Sequence, residues 1–195
     1  MSAVKKLQPI SVADYLAGEL VSRVKHEYVG GHVYAMAGAR VAHNRIATNV
    51  VGLTHAQLKG KRCQPFNSDM KVHVPKPPQE RFYYPDASVV CQSNPAEDSY
   101  QDQPVVIFEV LSQQTRRLDE GEKKDGYLRI PSLAVYVLIE QEAAAVVVHR
   151  RTASGFVREE FVGLDATIPL LEIEVSLPLA EIYAGVEFVP EPVEE

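Results

Sequence analysis

The hydrophobic pattern predicts short strands along most of the chain and helices at four places. Ser11 is a fitting N-cap for a helix through about Gly18, with Val12, Tyr15 and Leu16 at helical spacing. His26-Glu27-Tyr28-Val29 and His32-Val33-Tyr34-Ala35-Met36 flank Gly30-Gly31, and a Gly-Gly pair between β-prone runs predicts a hairpin. With the turn centred on the glycines, Val29 pairs with His32 and Glu27 lies opposite Tyr34. Residues 41–59 carry the longest helical pattern, with Val41, Ala42, Ile46, Ala47, Val50, Val51 and Leu53 on the apolar face and Gly60 at the exit.

Strand-like pieces follow at Cys63–Asn67 and Ser68–Val74, then a proline-rich loop over 75–80 that cannot join a central ladder. Strands around 86–91 and 104–111 come next, then a helix from about Thr115 to Ile130, ended by Pro131. Ala134–Ile139, Ala144–Arg150 and Gly155–Val162 read as strands, with Ser154-Gly155 as a turn, and Leu177–Tyr183 as a short helix. The sum is α/β bordering on α+β, a mixed central β-sheet flanked by helices. No repeat and no shift of composition divides residues 1–195, which read as a single domain with flexible ends at 1–10 and 188–195.

Composition changes this picture little. A chain of 195 residues suffices for one sizeable core, and 46% hydrophobic and 24% charged residues are ordinary for a globular protein. The formal charge of -6 gives no general electrostatic support for nucleic-acid binding, although the basic residues could still cluster on one face. Cys63 and Cys91 show neither a disulfide framework nor metal-ligand spacing and read as reduced cysteines. The N-terminal stretch has no secretory core, and no apolar run approaches the ~20 residues of a membrane span. The expectation is a cytoplasmic protein that makes no use of a membrane.

The chemistry concentrates between Pro85 and Tyr127. Glu109 interrupts the run Val105 to Leu111, which is otherwise apolar enough for a strand covered on both faces, and a carboxylate there needs compensation. If the strands around 86–91 and 104–111 are antiparallel neighbours, Asp86 and Glu109 meet at one level. Paired carboxylates repel unless one is protonated or a cation bridges them, and hard oxygen donors suit magnesium or manganese. Asp86 taken alone would be turn chemistry after a proline, and Glu109 alone a strand-end residue reaching solvent.

Thr115, Asp119, Lys123 and Tyr127 form one stripe at four-residue spacing on the following helix, where the bland account is a surface Asp119–Lys123 ion pair. Lys124 competes with Lys123 for any role in the site. His43 reads as a cap or helix-packing residue, and His32, His55 and His73 lack ligand spacing. Arg116-Arg117 could meet a phosphate, but such a pair is more often a solvated face.

Three stretches, HEYVGGHVYAM, SDMKV followed by YYPDASVVC, and PVVIFEVLSQQT with LDEGEKKDGYLRIPSLAVYVLIEQ, carry a resemblance. In order and spacing they are similar to the Uma-type "putative restriction endonuclease" family, a branch of the PD-(D/E)XK nuclease superfamily. The resemblance runs from about His26 to about Arg151 and implies a restriction-endonuclease-like sheet. It implies Asp86 as the acid of the Pro-Asp motif, Glu109 as the second acid, and Glu27 as an acid of the early hairpin that completes a metal shell. The superfamily lysine would stand at Leu111, a departure, and Lys123 matches the place from which this branch supplies it. Ser112, Thr115, Asp119 and Tyr127 match family positions without a clear role, and Asp69 is either near the site or a turn residue.

The implied activity is hydrolysis of DNA phosphodiester bonds with Mg2+ or Mn2+, in a possible homodimer. The alternatives are a catalytically silent nuclease fold serving as a DNA-binding or assembly module, motivated by Leu111 and the acidic charge, and a carboxylate-pair hydrolase acting on another substrate.

Overall fold

The computed structural model describes residues 8–76 and 78–188. The flexible ends expected at 1–10 and 188–195 fall mostly outside this range. The first helix, α1, spans Val12–Val21, and the Ser11 hydroxyl accepts from the Asp14 N–H, as an N-cap should. Strands β1 (His26–Val29) and β2 (His32–Ala35) form the hairpin in the register expected from the glycines, with Val29 opposite His32 and Glu27 opposite Tyr34. Gly31 at the turn has φ +95°, and a Cβ there would come 2.5 Å from the Pro9 Cβ, so only glycine fits. Helix α2 covers Val41–Leu58.

The strands then run β3 (Gln64–Asn67), β4 (Lys71–Val74), β5 (Arg81–Tyr83), β6 (Ala87–Val90), β7 (Tyr100–Gln101) and β8 (Pro104–Leu111). After the segment with α3 (Arg116–Leu118) and α4 (Lys124–Tyr127) come β9 (Val135–Glu140), β10 (Ala145–Thr152), β11 (Gly155–Val162), β12 (Thr167–Leu170), β13 (Val175–Pro178) and the short helix α5 (Leu179–Ile182).

These strands build two principal sheets rather than one. A six-stranded sheet has the order β11-β10-β9-β8-β6-β3, antiparallel except for the β8–β9 pair. A five-stranded sheet has the order β2-β1-β5-β4-β7. The hairpin and the segment after the proline-rich loop thus leave the central sheet and make a second layer. The architecture is α+β, with mixed sheets flanked by helices.

Strand β8 is the hub because its two faces serve different cores. Val106, Phe108 and Val110 face Ile46, Val50 and Leu58 of α2 and the C-terminal Ile168, Leu177 and Ile182. Ile107 and Leu111 point the other way, against Val72, Val74 and Tyr83 of the second sheet and Tyr127 of α4. Period-two alternation places Glu109 on this second face. At ~1.5–3 kcal/mol per fully buried large apolar side chain, both faces contribute enough to fix the register of β8.

Three expectations are corrected. The helix from Thr115 to Ile130 is broken: between α3 and α4 the segment Asp119–Lys123 is kinked, and Gly121 sits at φ -114°, ψ -105°, outside helical geometry. A glycine inside a helical pattern tolerates such a kink where tertiary contacts favour it. Residues 175–178 of the C-terminal piece are strand, and the helix begins only at Leu179. Cys63 and Cys91 are not reduced but joined in a disulfide. Gln64 pairs with Val90, so the residues one step outward stand opposite each other across β3 and β6, with Cα atoms 3.9 Å apart. Spacing along the chain does not reveal such cross-strand register.

Candidate active site

The pairing of β6 with β8 sets Ala87 opposite Phe108, so Asp86, one residue earlier, faces Glu109. The Asp86 N–H donates to Glu109 Oε2 at 3.4 Å, and the Val110 N–H donates to Asp86 Oδ2 at 2.7 Å. The two acids meet at one depth, as the strand arithmetic required. Glu109 is 3% exposed, whereas the Asp86 side chain keeps some access to solvent.

Both acids line a cleft of about 790 Å3, together with Glu27, His43, Asp119 and Lys123. Glu27 comes from β1 and receives the Tyr84 N–H on Oε1 at 3.4 Å. The kink at Gly121 accompanies a turn that buries Asp119 and Lys123 rather than leaving them as a surface pair. Lys123 Nζ stands 2.8 Å from Glu27 Oε1, 3.5 Å from Glu109 Oε1 and 3.6 Å from Asp119 Oδ1. Tyr127 donates its hydroxyl to Glu109 Oε1 at 3.2 Å. Lys124 is half-buried, and the ion pairs to these acids are made by Lys123. Leu111 is buried among apolar side chains on the same face of β8 as Glu109. Lys123 therefore brings its ammonium to Glu109 from another element.

The electrostatics follow from this crowding. Burial pushes the Glu109 carboxyl well above its ordinary range, Lys123 opposes the shift, and Asp119, Asp86 and Glu27 reinforce it. Asp119 is raised for the same leading reason, with Lys123 and a hydrogen bond from Thr115 pulling it down. Burial alone would lower the Lys123 ammonium, but Glu109, Glu27 and Asp119 more than reverse this and keep it charged. Three buried carboxylates thus share one lysine, with Asp86 beside Glu109 at the more open side.

His43, in the first turn of α2, places Nε2 3.2 Å from Asp86 Oδ2. Burial disfavours its charged form, yet Asp86, the Val110 backbone carbonyl and Asp119 together raise its pKa. The expected cap or packing role was incomplete, and only the adjacency to Asp86 in space reveals the contact. Gln141, just after β9, also lines the cleft with its Oε1 buried and unpartnered, and no sequence signal pointed to it. Asp69 is a turn residue, paired with Lys25 at 2.6 Å. His73 bridges Glu80 and Asp102 away from the cleft. Arg116 is committed to Glu140 and Glu120, and is not free for a phosphate in this arrangement.

Among the described residues no three His, Cys, Asp or Glu side chains are arranged to hold a metal as they stand. The chemistry of the donor set nevertheless fits a hard divalent cation. The acids are all oxygen donors, they outnumber the single lysine, and Asp119 Oδ1 is buried without a hydrogen-bond partner. Lys123 Nζ occupies the space among three of them.

The fold is that of a solved structure described as a putative nuclease belonging to DUF820 from Anabaena variabilis ATCC 29413. The TM-score is 0.75 at 18% identity, covering 92% of this chain and 100% of that one. Residues 12–180 match the Uma2 family, described as "Putative restriction endonuclease", and the chain belongs to that family. Two uncharacterized proteins of Synechocystis sp. (strain ATCC 27184 / PCC 6803 / Kazusa) are relatives. One is 29% identical over 181 residues, 92% of this chain and 94% of its own length. The other is 31% identical over 144 residues, 72% of this chain and 80% of its own length. None of the described helices is long and apolar enough to cross a membrane.

Proposed function

We propose that this protein is a divalent-metal-dependent endonuclease that hydrolyses phosphodiester bonds of DNA. The observation that carries the reading is the meeting of Asp86 and Glu109 with Lys123 and Glu27 in one cleft, on the positions that the family resemblance assigned to chemistry. Asp86, Glu109 and Glu27 would hold Mg2+ or Mn2+, with Asp119 as a further acid beside Lys123. The bound cation would supply a water of lowered pKa and offset charge on the phosphoryl oxygens.

The remaining work falls to the chain itself. Lys123 would donate hydrogen bonds to a phosphate oxygen or orient the attacking water, because its ammonium stays charged despite burial. Tyr127 holds Glu109 through Oε1, which limits rotation of that carboxylate. The apolar wall of Leu111, Tyr83 and Tyr127 keeps bulk water from the back of the site and strengthens these interactions. Cleavage of both strands of a duplex calls for two such sites, which supports a homodimer. A DNA substrate also agrees with a cytoplasmic location.

A silent nuclease fold acting as a DNA-binding or assembly module is the alternative, and the net charge of -6 favours it. The position of Lys123 weighs against it, since the loss of lysine at residue 111 is compensated at the carboxylates. The deciding experiment is nicking of supercoiled plasmid DNA in manganese by wild type and by Asp86→Ala. Cleavage by wild type that is lost in the variant supports the nuclease. Equal cleavage by both, or by neither, removes the assignment.

A further inference from the structure

The two carboxylate oxygens of Asp86 are engaged unequally. Oδ2 accepts the Val110 N–H at 2.7 Å and lies 3.2 Å from His43 Nε2, while Oδ1 makes no hydrogen bond among the described residues. Val110 belongs to β8 and His43 to α2, so two rigid elements approach the same oxygen from different directions. One donor leaves a carboxylate free to turn about its Cβ–Cγ bond, and a second contact from another element fixes the plane.

The side-chain partner of the imidazole is Asp86. Its Nδ1 is buried and makes no hydrogen bond among the described residues. His43 meets Asp86 rather than capping the helix, and Arg40, the N-cap residue of α2, makes no side-chain cap hydrogen bond. The bulk of α2 is anchored by Ile46, Val50 and Leu58 in the core, so its position does not depend on His43.

We propose that His43 is a positioning residue for the metal ligand Asp86: it holds Oδ2 and presents Oδ1 to the cleft. The inference rests on the metal-binding reading above and adds to it a member from outside the motif. Groups that orient a ligand commonly matter to metal affinity by ~10–100-fold.

The test is manganese binding to the whole protein, measured by calorimetry and by electron paramagnetic resonance of the bound ion, with no DNA present. His43→Leu keeps the volume and loses the polar contact, whereas in His43→Gln the side-chain amide reaches about as far as Nε2. The expected result is manganese binding weakened ~10–100-fold in His43→Leu and largely restored in His43→Gln. Both variants should keep the metal-free melting midpoint of wild type.

Unchanged affinity in His43→Leu overturns the proposal. So does an equal loss in both variants together with a lowered metal-free midpoint, which is what a merely structural histidine gives. Should His43→Leu not fold, His43→Gln is compared with the shorter His43→Asn. Tighter manganese binding by Gln supports the proposal, and equal binding overturns it. Wild type that takes up no manganese sinks the metal reading itself, and this inference with it, so the two failures are distinguishable.

Discussion

Lys123→Met tests the electrostatics of the site without any assumption about DNA. Lys123 is 5% exposed and its ammonium lies within 3.6 Å of Glu27, Glu109 and Asp119, while methionine keeps most of the side chain's apolar volume. Removing one partner of a buried ion pair typically costs about 3–5 kcal/mol, because the charges left behind are neither solvated nor compensated. For a domain of this size the melting midpoint should fall by about 6–20 °C in chelator at neutral to alkaline pH.

The pH dependence has a definite sign. The folded Glu109 carboxyl is already raised above its unfolded value of about 4.3, by burial first and by the neighbouring acids. A raised carboxyl contributes stability that is fully present below the unfolded value and is lost as pH climbs through the folded one. Lys123 is the cation that restrains this shift, so its removal carries the loss to higher pH. The deficit of Lys123→Met should therefore be largest from neutral pH up to about 10.4, where unfolded lysine loses its proton and the wild-type advantage begins to fall, and it should shrink as the buffer is acidified toward pH 5. Manganese should recover part of the loss, about 2.7 kcal/mol at a hundredfold excess over its dissociation constant. Urea denaturation of both proteins across pH, with chelator and with manganese, measures all three effects. Equal stability of the two in chelator at every pH would mean that Lys123 compensates none of these acids, and the site electrostatics would have to be abandoned.

Two further outcomes follow from other parts of the molecule. The Cys63–Cys91 disulfide closes a sequence separation of 28, so its reduction, or Cys63→Ser with Cys91→Ser, should lower stability by about 3–4 kcal/mol on chain-entropy grounds. Denaturant midpoints with and without reductant read this directly, and no change on reduction would show that the bond is dispensable. Lys71 is buried with its amine 3.2 Å from the Tyr84 hydroxyl, and burial lowers its pKa. A charged lysine held there costs stability at neutral pH, and the cost is relieved as pH rises through its lowered pKa. Lys71→Met should thus match or exceed wild type at pH 7, with any advantage fading by about pH 10.4, where unfolded lysine also loses its proton. A large destabilisation at pH 7 would show that the amine is needed in its charged form.

Much of the local structure is legible in the residues because its determinants are local. Gly30-Gly31 sets the register of the hairpin, since only glycine tolerates the turn conformation beside Pro9. The count outward from the loop between Cys91 and Pro104 brings Asp86 level with Glu109, because antiparallel pairing conserves the sum of residue numbers. The ladder in fact starts one residue off that count, with Val90 opposite Pro104, and the bulge at Val89/Val90 shifts it by the one residue that brings the acids level. Of the stripe Thr115, Asp119, Lys123 and Tyr127, the last three form a buried face even though the helix that carries it breaks at Gly121, whereas Thr115 is exposed.

What remained hidden depends on distance in space. The exchange of the hairpin and β5 into a second sheet is decided by which faces can bury one another, and no single segment records it. The disulfide depends on β3 lying beside β6, and the His43–Asp86 contact on where α2 crosses the sheet. Sequence by itself determined that Glu109 needs a compensating partner, since a carboxylate in an apolar strand is costly in any fold. Only the tertiary structure decided which groups answer that need: Lys123 from a kinked helix, Tyr127 one turn on, and the Asp86 backbone N–H across the ladder. Charge compensation is settled over a few ångströms, and those ångströms are set by packing between elements far apart in the chain.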